Sequence, residues 1–269
     1  MHPTGPRLYR PRPPLADHVE YFGIWQHHTA THDSRALPRG AATVIIDLGG
    51  QANTGLFAAD GRTPLPAPAA FLIGAGVRSY VTRIGPAQST MTIHFRPAGA
   101  LAFADYAASD FEDRCVGLSE LWGSAADRLH ERLVLAGSAS ARVALLEKFL
   151  LGRLRERRTP ELAAVLRDAE VHPSMRVSGA CQSMGLSPKR FNALFRAEVG
   201  MSPKAYLRVR RLQAALRALN TPTRGAAIAA DLGYFDQAHF VREFQEFAAI
   251  TPTQYTRRRS PMIGHITLG

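Results

Sequence analysis

At 269 residues the chain is long for one hydrophobic core and suits two modest domains, and its 46% apolar and 20% charged residues are ordinary for a globular protein. The absence of an apolar run of 18 residues argues against a membrane span, "MHPTGPRLYRPRPPL" lacks the apolar block of a secretory signal, and only Cys115 and Cys181 are available for disulfides; the expectation is a cytoplasmic protein with no membrane partner. The net charge of +11 is lopsided, with 14 Lys+Arg against 5 Asp+Glu in residues 172–259 and 19 against 17 in residues 1–171, so the terminal third suits a polyanion, an acidic membrane surface or simple solubility.

Residues 1–117 read as rich in strand. "ATVIIDLGG" is a β-branched run stopped by Gly49 and Gly50; "AFLIGAG" and "SYVTRIG" end at glycines, and "STMTIHFRP" ends at Pro97. Short strands at this spacing predict a barrel or sandwich rather than an alternating βαβ sheet. Two helices follow within residues 118–158. Ser119 is placed as the cap of "ELWGSAADRLHERLVL", with Leu121, Leu129 and Leu133 on one stripe, and "ARVALLEKFLLGRLRERR" repeats the pattern with Leu146, Phe149, Leu150 and Leu154. A short turn between them predicts an antiparallel hairpin, and "RERRTP" reads as a linker.

Residues 159–260 read as helical throughout, leaving 261–269 as a tail, and they contain a repeat. "GLSPKRFNALFRAEVGMSPKAYLRVR" from Gly185 and "GYFDQAHFVREFQEFAAITPTQYTRRR" from Gly233 align with one inserted residue. Phe191 and Phe195 then fall on Phe240 and Phe244, Ser202-Pro203 on Thr251-Pro252, and Tyr206 on Tyr255. In the first copy Ala180, Cys181 and Met184 give a short helix a small inner face, Gly185 allows a sharp turn, and Ser187-Pro188 caps a second helix. That helix buries Phe191, Leu194 and Phe195 and presents Lys189, Asn192, Ala193 and Arg196. In the second copy Asp236 caps a helix that buries Phe240, Phe244 and Phe247 and presents Gln237, Ala238, Val241, Arg242 and Gln245.

A helix, a glycine turn and a helix with an outward stripe of base-reading types is a helix-turn-helix. One polar stripe is usually a solvated face, but two matched copies in a basic segment point to DNA. The intervening "SPKAYLRVRRLQAALRAL" would span roughly 25 Å and set the two reading helices about one duplex turn apart, near 34 Å. Arg208, Arg210, Arg211 and Arg217 on it are equally phosphate contacts or ordinary surface arginines.

These motifs, together with "IAADLGYFDQAHFVREFQEFAAITPTQY", closely resemble the AraC/XylS family of bacterial transcription regulators over about 100 residues, Thr159 to Arg259. The resemblance implies DNA contacts at Lys189, Asn192 and Ala193 of the first unit and at Gln237, Ala238, His239 and Arg242 of the second. His239, next to Phe240, is equally a backbone-phosphate contact or only a cap of local structure. Ala249 stands where the family usually has Gly, Phe235 where it has a small polar residue, and Cys181 where it has Ala. "LPRGAATVIIDLGG" and "TIHFRPAGALAFADYAASDFEDRCVGLSELWG" resemble an uncharacterised module found ahead of AraC-type domains in actinobacterial proteins. In the wider family such β-rich modules bind small effectors or mediate dimerisation.

The expected fold class is therefore α+β, a β-rich barrel or sandwich with a helical hairpin followed by an all-α domain of two helix-turn-helix units on a long helix. The expected function is a sequence-specific transcriptional activator or repressor, not an enzyme. Double-stranded DNA is the expected partner, with RNA polymerase, a small effector and a second copy of the chain as further candidates. His27, His28 and His32 lack carboxylate or cysteine partners at ligand spacing, His94 reads as a packed or solvent-facing residue, and no phosphate loop or nucleophile elbow is visible, so no metal or cofactor is expected. Trp25, Phe71, Tyr80 and Phe95 read as core, with an apolar pocket as the other reading. An N-terminal enzyme fused to a DNA-binding domain, and a basic protein–protein adaptor, are the alternatives.

Overall fold

The computed structural model describes residues 7–26, 30–49, 55–155, 159–221, 225–260 and 264–268; His27, His28 and residues 156–158 of the expected linker lie outside them. The first half is a sandwich of two antiparallel sheets. One has the order β1-β2-β8-β4-β6-β9, built from β1 (Arg7–Tyr9), β2 (Val19–Gln26), β4 (Thr43–Asp47), β6 (Ala70–Ile73), β8 (Ser89–Phe95) and β9 (Cys115–Gly117). The other has the order β10-β3-β7-β5, from β3 (His32–Ala36), β5 (Gly55–Phe57), β7 (Tyr80–Ile84) and β10 (His265–Leu268).

Strand β4 is buried on both faces, which is why it reads as an unbroken apolar run rather than an alternation. Val44 and Ile46 point to one core with Leu72, Met91 and Ile93, whereas Ile45 packs with Leu56 and Phe71 between the sheets. Helices α2 (Ser124–Leu135) and α3 (Ala139–Leu151) cover the first of these faces with Leu129, Leu133, Leu146 and Leu150. The hairpin is as expected, but its start is not. The expected single helix is broken at Gly123 (φ 61°) into α1 (Leu118–Trp122) and α2. Ser119 does not cap; Gly117 donates its N–H to Glu120 Oε1, and the Ser119 hydroxyl donates to Asp127. Gly152 ends α3, so Leu154 lies beyond the helical stripe assigned to it.

The second half is α4 (Pro160–Val171), α5 (Val177–Ser183), α6 (Pro188–Val199), α7 (Pro203–Ala218), α8 (Gly225–Asp231), α9 (Gln237–Ala248) and α10 (Pro252–Arg258). One apolar core runs through these helices and continues into the sandwich at Leu37, Ala75, Ala98 and Ile266. Polar ties reinforce it: Gln213 Nε2 donates to Pro38 O at 2.5 Å and Arg35 donates to Ala248 O at 2.9 Å. The last described residues do not trail into solvent. β10 returns from α10 and pairs antiparallel with β3, Ile266 against Arg35.

Candidate nucleic-acid interface and an inner cavity

Helix α6 begins where Ser187 Oγ accepts the N–H of Arg190 at 3.4 Å, with Pro188 in its first turn, where a missing N–H costs nothing. Phe191, Phe195 and Val199 are buried beneath it, and Leu194 is half-buried against the same core. Lys189, Asn192 and Ala193 are exposed. Arg196, one turn on, is half-buried and ion-paired with Glu112 of the sandwich at 3.3 Å. The helix ends on Gly200 (φ 93°), where a Cβ would come within 2.9 Å of Ala108 O; glycine is needed both for the left-handed turn and for that close approach.

Helix α9 repeats the construction. Asp236 Oδ1 accepts the His239 N–H at 2.6 Å, and Phe240, Phe244 and Phe247 are buried. Gln237, Ala238, Arg242 and Gln245 are exposed, and Val241 is half-buried. His239 is also half-buried: its Nδ1 accepts the Phe235 N–H at 3.4 Å and its ring meets Tyr234 edge-on. Phe235, just before the helix, is 92% exposed. Ala249 closes the helix in the left-handed region at φ 57°.

The connecting helix α7 has 16 residues, about 24 Å of rise. Three of its four candidate phosphate-binding arginines are engaged inside the protein. Arg208 and Arg211 both reach the buried Glu243 of α9, at 2.9 and 3.5 Å, and Arg208 also pairs with Glu246. Arg210 is buried and faces Glu170 of α4 at 3.7 Å. Arg217 is exposed. These arginines therefore brace α9 and α4 against the connecting helix.

Between the two sheets lies a cavity of about 110 Å³. Its lining is mixed: Leu37, Leu56, Leu65 and Ile73 are apolar, and Tyr21, Arg39, Thr43, Tyr80, His94 and His265 are polar. Arg39 donates to His94 Nδ1 at 2.7 Å and pairs with Glu20 at 2.5 Å. Burial, then the Arg39 charge and His265, hold the His94 imidazole well below its ordinary range; burial and Arg39 push His265 down to about 4. Burial lifts the Tyr80 hydroxyl to about 12. Tyr80 thus belongs to the cavity wall, whereas Phe71 and Phe95 are core and Trp25 packs outside the lining, tilted against His265.

Comparison with known proteins matches residues 180–258 to a helix-turn-helix domain and residues 7–117 to a domain of unknown function (DUF6597). Residues 180–258 are a helix-turn-helix domain of the AraC type. An uncharacterized HTH-type transcriptional regulator of Haemophilus influenzae is 29% identical over 115 residues, 42% of this chain, and the chain spans 38% of that relative's length. Among solved structures, ToxT from Vibrio cholerae is similar over 88% of this chain and 98% of its own, at 10% identity and a TM-score of 0.49. The C-terminal domain of AraT, a response regulator from Geobacillus stearothermophilus, is similar over 40% of this chain and 92% of its own, at 23% identity and a TM-score of 0.37.

Within the AraC-type domain, Lys189, Asn192, Ala193, Gln237, Ala238, Arg242 and Gln245 lie on exposed helix surface, while Arg196 and His239 have partners inside the protein. Sequence reasoning missed Glu112 and the polar wall of the cavity. Arg39, His94 and His265 come from three distant segments, and no local pattern joins them. Among the described residues, no group of three or more His, Cys, Asp or Glu could hold a metal ion, and no helix is long and apolar enough to cross a membrane.

Proposed function

We propose that the chain is a cytoplasmic, sequence-specific transcription regulator whose two reading helices enter successive major-groove segments of one duplex. Lys189, Asn192, Ala193 and Arg196 face the first segment, and Gln237, Ala238, His239, Arg242 and Gln245 the second. Arg, Lys, Asn and Gln offer hydrogen bonds to purine edges, and the alanine methyls suit thymine. The observation that carries this reading is the paired construction: two capped helices, each seated on phenylalanines, each leaving a polar stripe exposed, fixed to one connecting helix. Residues 7–117 serve as the controlling module, through a small effector in the inner cavity or through a second copy of the chain, and RNA polymerase is the further partner.

Selection of bound sites from a random duplex library tests this. The expected product is two conserved segments about one helical turn apart, bound with an affinity that falls steeply with salt. Enrichment of a single short segment would remove the second reading helix from the mechanism. A shallow salt dependence with no enrichment would favour a protein-binding adaptor.

A further inference from the structure

The inner cavity is unusual in what forms its walls. His265 and Gly264 belong to the segment that follows α10, so the helical domain itself supplies part of the lining. Asp113, Arg114 and Cys115 form another stretch of wall, directly after Glu112, the partner of Arg196 on α6. Leu37, Pro38 and Arg39 form a third, and Pro38 O accepts the Gln213 amide of α7. Hydrogen bonds and a β-bridge tie this wall to the end of α10. Leu37 N–H donates to Gly264 O at 2.8 Å, Gly264 N–H to the Tyr255 hydroxyl of α10 at 3.4 Å, and Arg259 bridges Ile266.

The chemistry of the lining selects a ligand. Arg39, Arg78 and Arg114 stand against one carboxylate, Asp113, whose Oδ1 already accepts the Arg78 backbone N–H at 2.8 Å. The carboxylate paired with Arg39 among the described residues, Glu20, is half exposed and lies outside the lining. His94 and His265 sit neutral beside that guanidinium, so Arg39 supplies the positive charge that an arriving anion would meet. Leu37, Leu56, Leu65 and Ile73 give the rest of the lining apolar surface, so the charge would arrive on an apolar body.

We infer that the cavity binds a small organic anion, with its charged end at Arg39 between His94 and His265 and its body against Leu37, Leu56 and Ile73, and that β10 carries its occupancy to the DNA-reading helices. The inference rests on the reading of residues 7–117 as a sensor. A bound anion holds His265, hence β10 in register on β3, hence the end of α10; an empty cavity leaves that strand to its ladder, to buried Ile266 and to the hydrogen bonds of Gly264.

The test uses the full chain with benzoate and octanoate as carboxylate probes and benzamide as the uncharged counterpart, followed by calorimetry and by amide hydrogen exchange. Benzoate or octanoate binds, benzamide binds at least about tenfold more weakly, and Arg39→Gln lowers carboxylate affinity by at least about tenfold, the loss expected for a charge-assisted bond. His265→Asn, which keeps a side-chain donor and the strand, serves as the second variant and lowers affinity less. The bound carboxylate also slows exchange across residues 264–268 and α10. Equal binding of benzamide, failure of both carboxylates to bind at millimolar concentration, or binding without a change in exchange across β10 would each overturn the proposal. None of these readouts involves DNA, so the regulator reading stands or falls separately by site selection.

Discussion

The guanidinium of Arg196 lies 3.3 Å from Glu112 Oε2, so a residue on the proposed reading stripe of α6 is held by the sandwich in front of it. Both side chains are partly exposed, and a pair of this kind contributes only about 0–1 kcal/mol. Glu112→Gln is therefore expected to leave stability nearly unchanged while releasing Arg196 towards the groove. Affinity for a selected site, followed by fluorescence anisotropy, should rise by a factor of up to about 5. An unchanged affinity would mean that Arg196 takes no part in reading.

Arg242 stands alone among the exposed α9 residues in carrying a full positive charge into the proposed groove. Arg242→Ala should cost about 1–3 kcal/mol on a selected site and little on random duplex. Equal losses on both would reassign the residue to phosphate contact.

The left-handed Ala249 at φ 57° holds a conformation in which a Cβ crowds the following carbonyl. Ala249→Gly should stabilise the fold by about 0.5–1 kcal/mol, because relief of native strain exceeds the added freedom of the unfolded chain. Urea denaturation measures it directly, and a lower midpoint would show that the alanine is packed rather than strained.

Glu243 has only 7% of its side chain exposed and neutralises both Arg208 and Arg211. Glu243→Gln leaves two guanidinium groups without their shared anion and is expected to destabilise by about 1–3 kcal/mol, less than a fully buried pair because the arginines keep some water. Proteolysis should then show α9 loosened first. Unchanged stability would identify Glu246 as the sufficient partner.

His265 has a folded-state pKa of about 4 against an ordinary 6.5, and His94 is displaced in the same direction. A lowered histidine pKa means that the unfolded chain takes up the proton first. The stabilisation is complete above pH 6.5 and is lost as the pH falls from there towards 4. The loss for His265 is of order 1–3 kcal/mol, and His265→Asn should flatten the slope of urea stability between pH 7.5 and about 5. An identical slope in the variant would place the titration elsewhere.

What could be read from the residues alone follows from how local each signal is. Phe191, Phe195, Phe240 and Phe244 recur at helical spacing behind Ser187 and Asp236, and the structure buries all four phenylalanines and uses both caps. β4 is legible because burial on both faces demands an apolar run, and β8 because Met91, Ile93 and Phe95 alternate with Thr90, Thr92 and His94. β2 ("VEYFGIWQ") carries a Glu and a Gly, and β3 ("HDSRA") is mostly polar, so neither shows a strand pattern; pairing with β8 and β7 makes them strands. β10 has four residues and no local signal at all, and its register is set by a partner more than two hundred residues earlier. The bracing role of Arg208, Arg210 and Arg211 was hidden in the same way, because their carboxylate partners lie on other helices.

Strand β10 also makes the molecule a closed loop. The chain leaves the sandwich after α3, builds seven helices, and comes home to a strand on the sandwich's own edge. A single cleavage between α3 and α4 would therefore leave two fragments still clasped together by that returning ladder, and setting the helical half free takes a second cut after α10.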